Sequence, residues 1–250
     1  MTQSASASDS ADQHLVEYDV ERRVQLTFAV SPEQAKKLLP ASWQVASMPP
    51  GPSEGANFMV AFRNRLLTVH YNADGEARVG EQDRGAILLV FTKNTENGEF
   101  AFRVVRSFSA NAHAIPGPYK NAQFATVDME QGMTAQETSD SSGFERWQIR
   151  DDAGGTLRLL LRYRAGAPLQ SGGEMTIFGG PDPAFFRVYR TDKASDFVKS
   201  TPNKVDRIDE FQFDSTIAEF SNIFDGTQRV ISIWTEPWYL RHVLLQNPRP

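Results

Sequence analysis

The chain has 250 residues, 40% of them hydrophobic, which is enough for one sizeable core and does not call for a second. Its net charge of -5, with no basic stripe, gives no general attraction to nucleic acid or to an anionic membrane surface. The absence of cysteine excludes disulfide scaffolds, thiolate metal sites and cysteine nucleophiles.

Residues 1–13 are rich in Ser, Ala and Asp, with neither a basic start nor an apolar run, and read as a disordered tail rather than a secretion signal. A single domain is expected over 14–250. No apolar run is long enough to cross a bilayer and no repeat is visible, so a soluble, cytoplasmic protein is expected. Glu17 to Val30 carries apolar residues largely at period two and predicts a strand. Ser31 as N-cap, Pro32 at the first helical position and Gln34 as capping-box partner predict a short helix ending near Leu39, before Pro40. Ala56 to Leu67 reads as a strand with Arg63 and Arg65 on one side, and Asp74-Gly75 and Asn97-Gly98 read as hairpin turns. Gly85 to Phe91 is a continuous apolar run, expected of a strand covered on both faces, and Phe100 to Val105 alternates.

Further on, Phe124 to Glu130 predicts a strand and Met133 to Ser142 is polar. Phe144 to Arg150 and Thr156 to Arg164 predict a hairpin, with leucines on one face of its second strand and arginines on the other, solvent-facing one. Leu169 to Pro183 is Gly- and Pro-rich, Lys193 to Lys199 reads as a helix capped by Thr191 or Asp192, and Arg207 to Phe224 and Gln228 to Trp234 read as strands. Trp234, Trp238 and Tyr239 form an aromatic cluster suited to packing or to ligand stacking. About ten strands joined mainly by hairpins exclude a doubly wound parallel sheet. The expected fold class is α+β, mostly β: an antiparallel sheet that curls strongly or closes into a barrel, with a few short helices.

The stretch with most chemical content is Phe108 to Ala125. After an alternating strand it places Pro116, Gly117 and Pro118 together, then Tyr119 and Lys120, with His113 on the approach. Such a corner is stiff and aims its next side chains, although the same run also fits a plain connection carrying a solvated lysine. Arg65 and Arg106 are candidates to hold a substrate carboxylate in a two-point fork, Tyr119 to contact the substrate, and His113 to exchange protons near neutral pH.

Gly117, Pro118, Tyr119, Lys120 and Asn121 resemble the Gly-aromatic-Pro-Lys-Lys stretch of the acetoacetate decarboxylase-like superfamily, in altered order. The strand and capped helix ending in Leu38-Leu39-Pro40, and the Trp147 strand, Gly turn and strand of alternating leucines, resemble the same superfamily. The resemblance implies a cone-like β-barrel around a small ligand, Lys120 as an amine that condenses with a ketone, and Glu81 as a proton-transfer partner. Asn121 stands in place of the second lysine, so any lowering of the Lys120 amine would have to come from burial or from an arginine.

The expected function is a small-molecule lyase acting on a keto acid or related carbonyl compound, through a Schiff base at Lys120. Two alternatives stand beside it: a non-catalytic barrel binding a small hydrophobic ligand, and an imine-independent hydratase or cyclase using His113 or Glu81. Beyond the small-molecule substrate, neither nucleic acid nor membrane is expected as a partner, and a homo-oligomer is left open. The four histidines are far apart and no P-loop, dinucleotide, serine-hydrolase or zinc-protease motif occurs, so no metal or cofactor is expected.

Overall fold

The structure, a computed structural model, describes residues 13–134 and 141–246. Its fourteen strands among the described residues are β1 (Gln13–Ala29), β2 (Trp43–Val45), β3 (Phe58–Tyr71), β4 (Ala77–Val79), β5 (Asp83–Asn94), β6 (Phe100–Ser109) and β7 (Ala122–Thr134). These are followed by β8 (Ser142–Asp151), β9 (Thr156–Arg164), β10 (Leu169–Gly179), β11 (Phe186–Ser200), β12 (Val205–Asp206), β13 (Ile208–Ser215) and β14 (Arg229–Gln246).

The alternation along β1 produces two buried faces of opposite character. Val24, Leu26 and Phe28 are fully enclosed on one, while Asp19, Glu21, Gln25 and Thr27 are enclosed on the other. β3 and β5 do the same, sending Phe58, Val60, Phe62, Leu88 and Val90 to the apolar side and Arg63 and Asp83 to the polar one. The apolar faces of these three strands pack against a second layer made of β7, β8, β9 and β13, through Trp147, Ile149, Leu157, Leu159 and Leu161.

The polar faces look into an enclosure. β5, β3, β1, β14, β11, β10 and β6 are successive hydrogen-bonded neighbours, and β6 pairs back with β5, closing a ring of seven strands. β6 is the branch point. Its Phe102–Val104 pairs in parallel with β10, and its Ser107–Ser109 pairs in parallel with β7, which starts the second layer. The sheet is therefore mixed rather than wholly antiparallel, because one strand must serve both the ring and the outer layer.

Several expectations hold. The hairpin turns at Asp74-Gly75 and Asn97-Gly98 are present with left-handed glycines (φ +80° and +77°), and the arginine face of β9 lies outside, paired with acidic residues of β13. Ser31 Oγ accepts from Gln34 N at 3.3 Å as expected of the cap, but the helix α1 runs only Pro32–Lys36. The chain then tightens into i→i+3 bonds up to Leu39, and the Lys36 ammonium donates to the carbonyls of Pro40, Ala41 and Trp43.

Other expectations are corrected. The Gly- and Pro-rich stretch contributes strand β10 over Leu169–Gly179, and Lys193–Lys199 lies within strand β11 rather than in a helix. β11 is paired on both sides, with β10 and with β14, and tertiary pairing there outweighs local helix signals. Only the first part of Arg207–Phe224 is strand; Ala218–Phe220 is a 3-10 turn, and Phe220 and Phe224 plug the apolar layer. The tail and most of the polar stretch after Met133 lie outside the described residues.

Candidate functional site

The ring encloses a cavity of about 610 Å³. Among its lining residues are five arginines, Arg63, Arg65, Arg78, Arg187 and Arg241, and two tyrosines, Tyr119 and Tyr189. The charges of this lining are arranged in distinct groups.

The first group is self-contained. Arg241 bonds Asp19 through both Nε (3.0 Å) and Nη2, and reaches Glu17 at 3.1 Å; Arg65 Nε donates to Glu21 at 3.1 Å. Burial alone would raise the Asp19 carboxyl, but the guanidiniums of Arg241 and Arg65 reverse this and hold it well below the usual carboxylate range. Burial likewise opposes the charge on Glu21, and Arg23, Arg241 and Arg65 bring its pKa down to about 2. Three carboxylates consume these two cavity arginines.

The second group is less complete. Arg63, only 5% exposed, spends Nη2 on Asp83 at 3.0 Å, and the other Asp83 oxygen accepts from Ser109 Oγ at 2.6 Å. Arg63 Nε is buried without a partner among the described residues. Burial, with the like charge of Arg65, lowers the Arg63 pKa to about 10. Arg187, on β11, goes further: its Nε is also buried and unbonded, and its guanidinium makes no ion pair among the described residues. A buried donor left unmade is costly, and such orphans mark places where a partner from outside the chain is expected.

Tyr119 and Tyr189 stand beside these arginines. Tyr119 Oη donates its one proton to Ile177 O at 3.1 Å, so Tyr189 is the donor in the 2.6 Å contact between the two hydroxyls. Burial, then Tyr189, raises the Tyr119 pKa well above normal. A glycine pair makes room for the Tyr119 ring: a Cβ at Gly179 would lie 2.6 Å from Tyr119 Cδ1, and Gly180, at φ +81°, passes beneath the Tyr119 carbonyl.

Of the residues singled out from the sequence, Arg65, Tyr119, Glu81 and His113 line this cavity, the last two as exposed side chains. Lys120 and Arg106 do not. Lys120 is exposed and adopts φ +53°, a left-handed conformation closed by its N–H to Gly117 O at 3.1 Å. Its neighbours Tyr119 and Asn121 are the residues that line the cavity, and Asn121 Nδ2 is spent on Val104 O at 2.9 Å. Arg106 is turned by a β-bulge. Leu88 pairs with Arg106 and Leu89 with Val104, so the extra residue, Val105, moves Arg106 off the interior face, where it bonds Glu219 at 2.7 and 2.8 Å.

Arg187, Arg241, Tyr189 and Asp83 were missed by sequence reasoning. Arg187 and Tyr189 sit on β11; the alternation of Phe186 to Thr191 was the available signal. A second, smaller cavity of about 390 Å³ lies between ring and outer layer and is bordered by Arg22, Tyr163 and Glu145. Glu145 accepts from Trp147 Nε1 at 2.9 Å and Gln131 Nε2 at 3.3 Å, both neutral, and burial pushes its pKa up to about 7.

No family model matches the chain, and no curated protein matches it. Among solved structures it is similar to the enduracididine biosynthesis enzyme MppR bound to HEPES buffer, with TM-score 0.55 and 12% identity over 94% of this chain and 86% of that one. The same enzyme complexed with pyruvate gives TM-score 0.53 and 12% identity, over 97% and 91% of the two chains. An acetoacetate decarboxylase-like enzyme from Sphingomonas wittichii RW1 gives TM-score 0.54 and 12% identity, over 100% and 97%. At such identities the likeness establishes the fold.

Proposed function

We propose that this chain, which has the acetoacetate decarboxylase-like fold, is a small-molecule lyase that binds a keto acid in the ring and works on it by acid-base chemistry without an imine. The single observation that carries this reading is the half-buried Arg187 guanidinium in the cavity wall, which makes no ion pair among the described residues, whereas Arg63, Arg65 and Arg241 in the same wall each have a carboxylate partner. A carboxylate matches a guanidinium in two parallel hydrogen bonds. Arg63, whose Nε is the other buried nitrogen without a partner among the described residues, stabilises negative charge that develops on the carbonyl oxygen.

The reaction class that follows is proton abstraction next to the carbonyl. His113 or Glu81, at the cavity wall with an exposed side chain, takes the proton, and the electron pair of the broken C–H bond moves into an enolate. In a dehydration, that pair re-forms as a C=C bond, the C–O bond to a β-hydroxyl breaks, and the departing hydroxide takes up a proton to leave as water. The hydration direction is the same sequence reversed.

This route gives Lys120 no part, a reading supported by its exposure and its absence from the cavity lining. An apolar-ligand carrier is disfavoured by the five cavity arginines. Incubation with pyruvate and other 2-oxo acids, followed by borohydride and mass spectrometry, tests the reading. Binding without an added mass is expected; a reduced adduct on Lys120 would replace this route with imine chemistry.

A further inference from the structure

Strand β10 leaves most of one edge unpaired. Along Leu169 to Phe178 it is bonded to β11, but on its other side it meets β6 only at Ile177, Phe178 and Gly179. The stretch from Leu169 to Thr176 therefore presents a row of backbone donors and acceptors that the described residues do not cover. Every residue from Leu169 to Met175 is exposed, with Leu169 at 72% and Met175 at 37%, and a Cβ at Gly173 would meet nothing within 4 Å.

Unpaired edges are ordinarily guarded by charge, proline or a bulge. The outer strand β13 carries Asp209, Glu210 and Asp214, and the free part of β7 carries Asp128 and Glu130. β10 has no proline and no bulge in its pairing, and it carries one charge, Glu174, against three on β13; the acids of both strands are paired with arginines of a neighbouring strand, so what distinguishes β10 is how few charges it has.

We propose that this edge pairs with the same edge of a second copy of the chain, antiparallel about a two-fold axis at Gly172. The sequence of the strand is self-complementary in that register. Leu169 falls opposite Met175 of the other copy and Gln170 opposite Glu174, while Ser171, Gly172 and Gly173 keep the middle flat and uncrowded. The two exposed apolar side chains, six residues apart and so on one face of the strand, cover each other twice. Each sheet extends into its partner's, and the unpaired backbone groups of both are satisfied at once.

The chain contains no cysteine, which makes the register directly readable. The double variant Ser171→Cys/Gly173→Cys is oxidised mildly at micromolar concentration and run without reductant. A covalent dimer is expected, because each new thiol faces the other kind across the axis, whereas either single variant stays uncrosslinked. In light scattering after gel filtration the native chain is expected at twice the monomer mass, and Leu169→Lys/Met175→Lys at half of that. A native chain that is monomeric at every concentration overturns the proposal. So does an oligomer that neither crosslinks in the double variant nor responds to the lysines.

Discussion

Replacing Glu145 by Gln isolates the cost of one buried acid. In the folded chain Glu145 is 6% exposed with only neutral hydrogen-bond partners, and burial moves its pKa from 4.5 to about 7. Between those values the folded state holds a proton that the unfolded state has released, so the stability of the native protein falls as pH rises through this window. The displacement corresponds to about 3 kcal/mol when complete, at 1.36 kcal/mol per pH unit. Gln cannot ionise and keeps one acceptor oxygen, for Trp147 Nε1, while its amide nitrogen replaces the oxygen that accepts from Gln131. Urea unfolding of both proteins at pH 4.5, 6 and 8 should give nearly equal stabilities at the lowest pH. At pH 8 the variant should be the more stable, by up to about 3 kcal/mol. A variant no more stable at pH 8, or one that retains the native pH slope, would refute the reasoning.

Arg187→Gln should weaken binding of a 2-oxo acid by about 10- to 100-fold, the loss of a charge-assisted hydrogen-bonded pair, while leaving the melting temperature unchanged or higher, as titration calorimetry and thermal melts will read. Lys120→Ala should keep kcat/KM within about twofold of the native value on any substrate found, since an exposed group outside the cavity stabilises no transition state. Asp19→Asn breaks a buried pair with Arg241 and should cost about 3–5 kcal/mol in denaturant unfolding. Gly179→Ala drives a methyl group into the Tyr119 ring and should cost about 1–3 kcal/mol and weaken ligand binding, whereas Gly173→Ala should do neither.

Much of the ring was legible locally: β1 by its period-two pattern, β3 by Arg63 and Arg65 on one side, β5 by its continuous apolar run, and the hairpins by the glycine turns at Gly75 and Gly98. What alternation alone did not reveal is that the polar face of β1 is also interior. A strand with two buried faces reads like one with a solvated face unless the partners of Asp19 and Glu21 are known. The second half of the ring was harder to read, since β10 and β11 are defined by pairing with β6 and β14, strands distant in the chain.

The site was legible in part. The corner after Pro116 does deliver side chains into the cavity, but the left-handed backbone at Lys120 gives that direction to Tyr119 and Asn121. Arg106 was displaced by a single extra residue in β6, an irregularity with no signature in the residues themselves.

A crystal structure of the protein with a bound 2-oxo acid tests the central claim most directly. The ligand is expected inside the ring, with its carboxylate oxygens in hydrogen-bond contact with Arg187 and its carbonyl carbon bonded to no protein atom. A ligand joined covalently to Lys120, or held away from Arg187, would contradict the account.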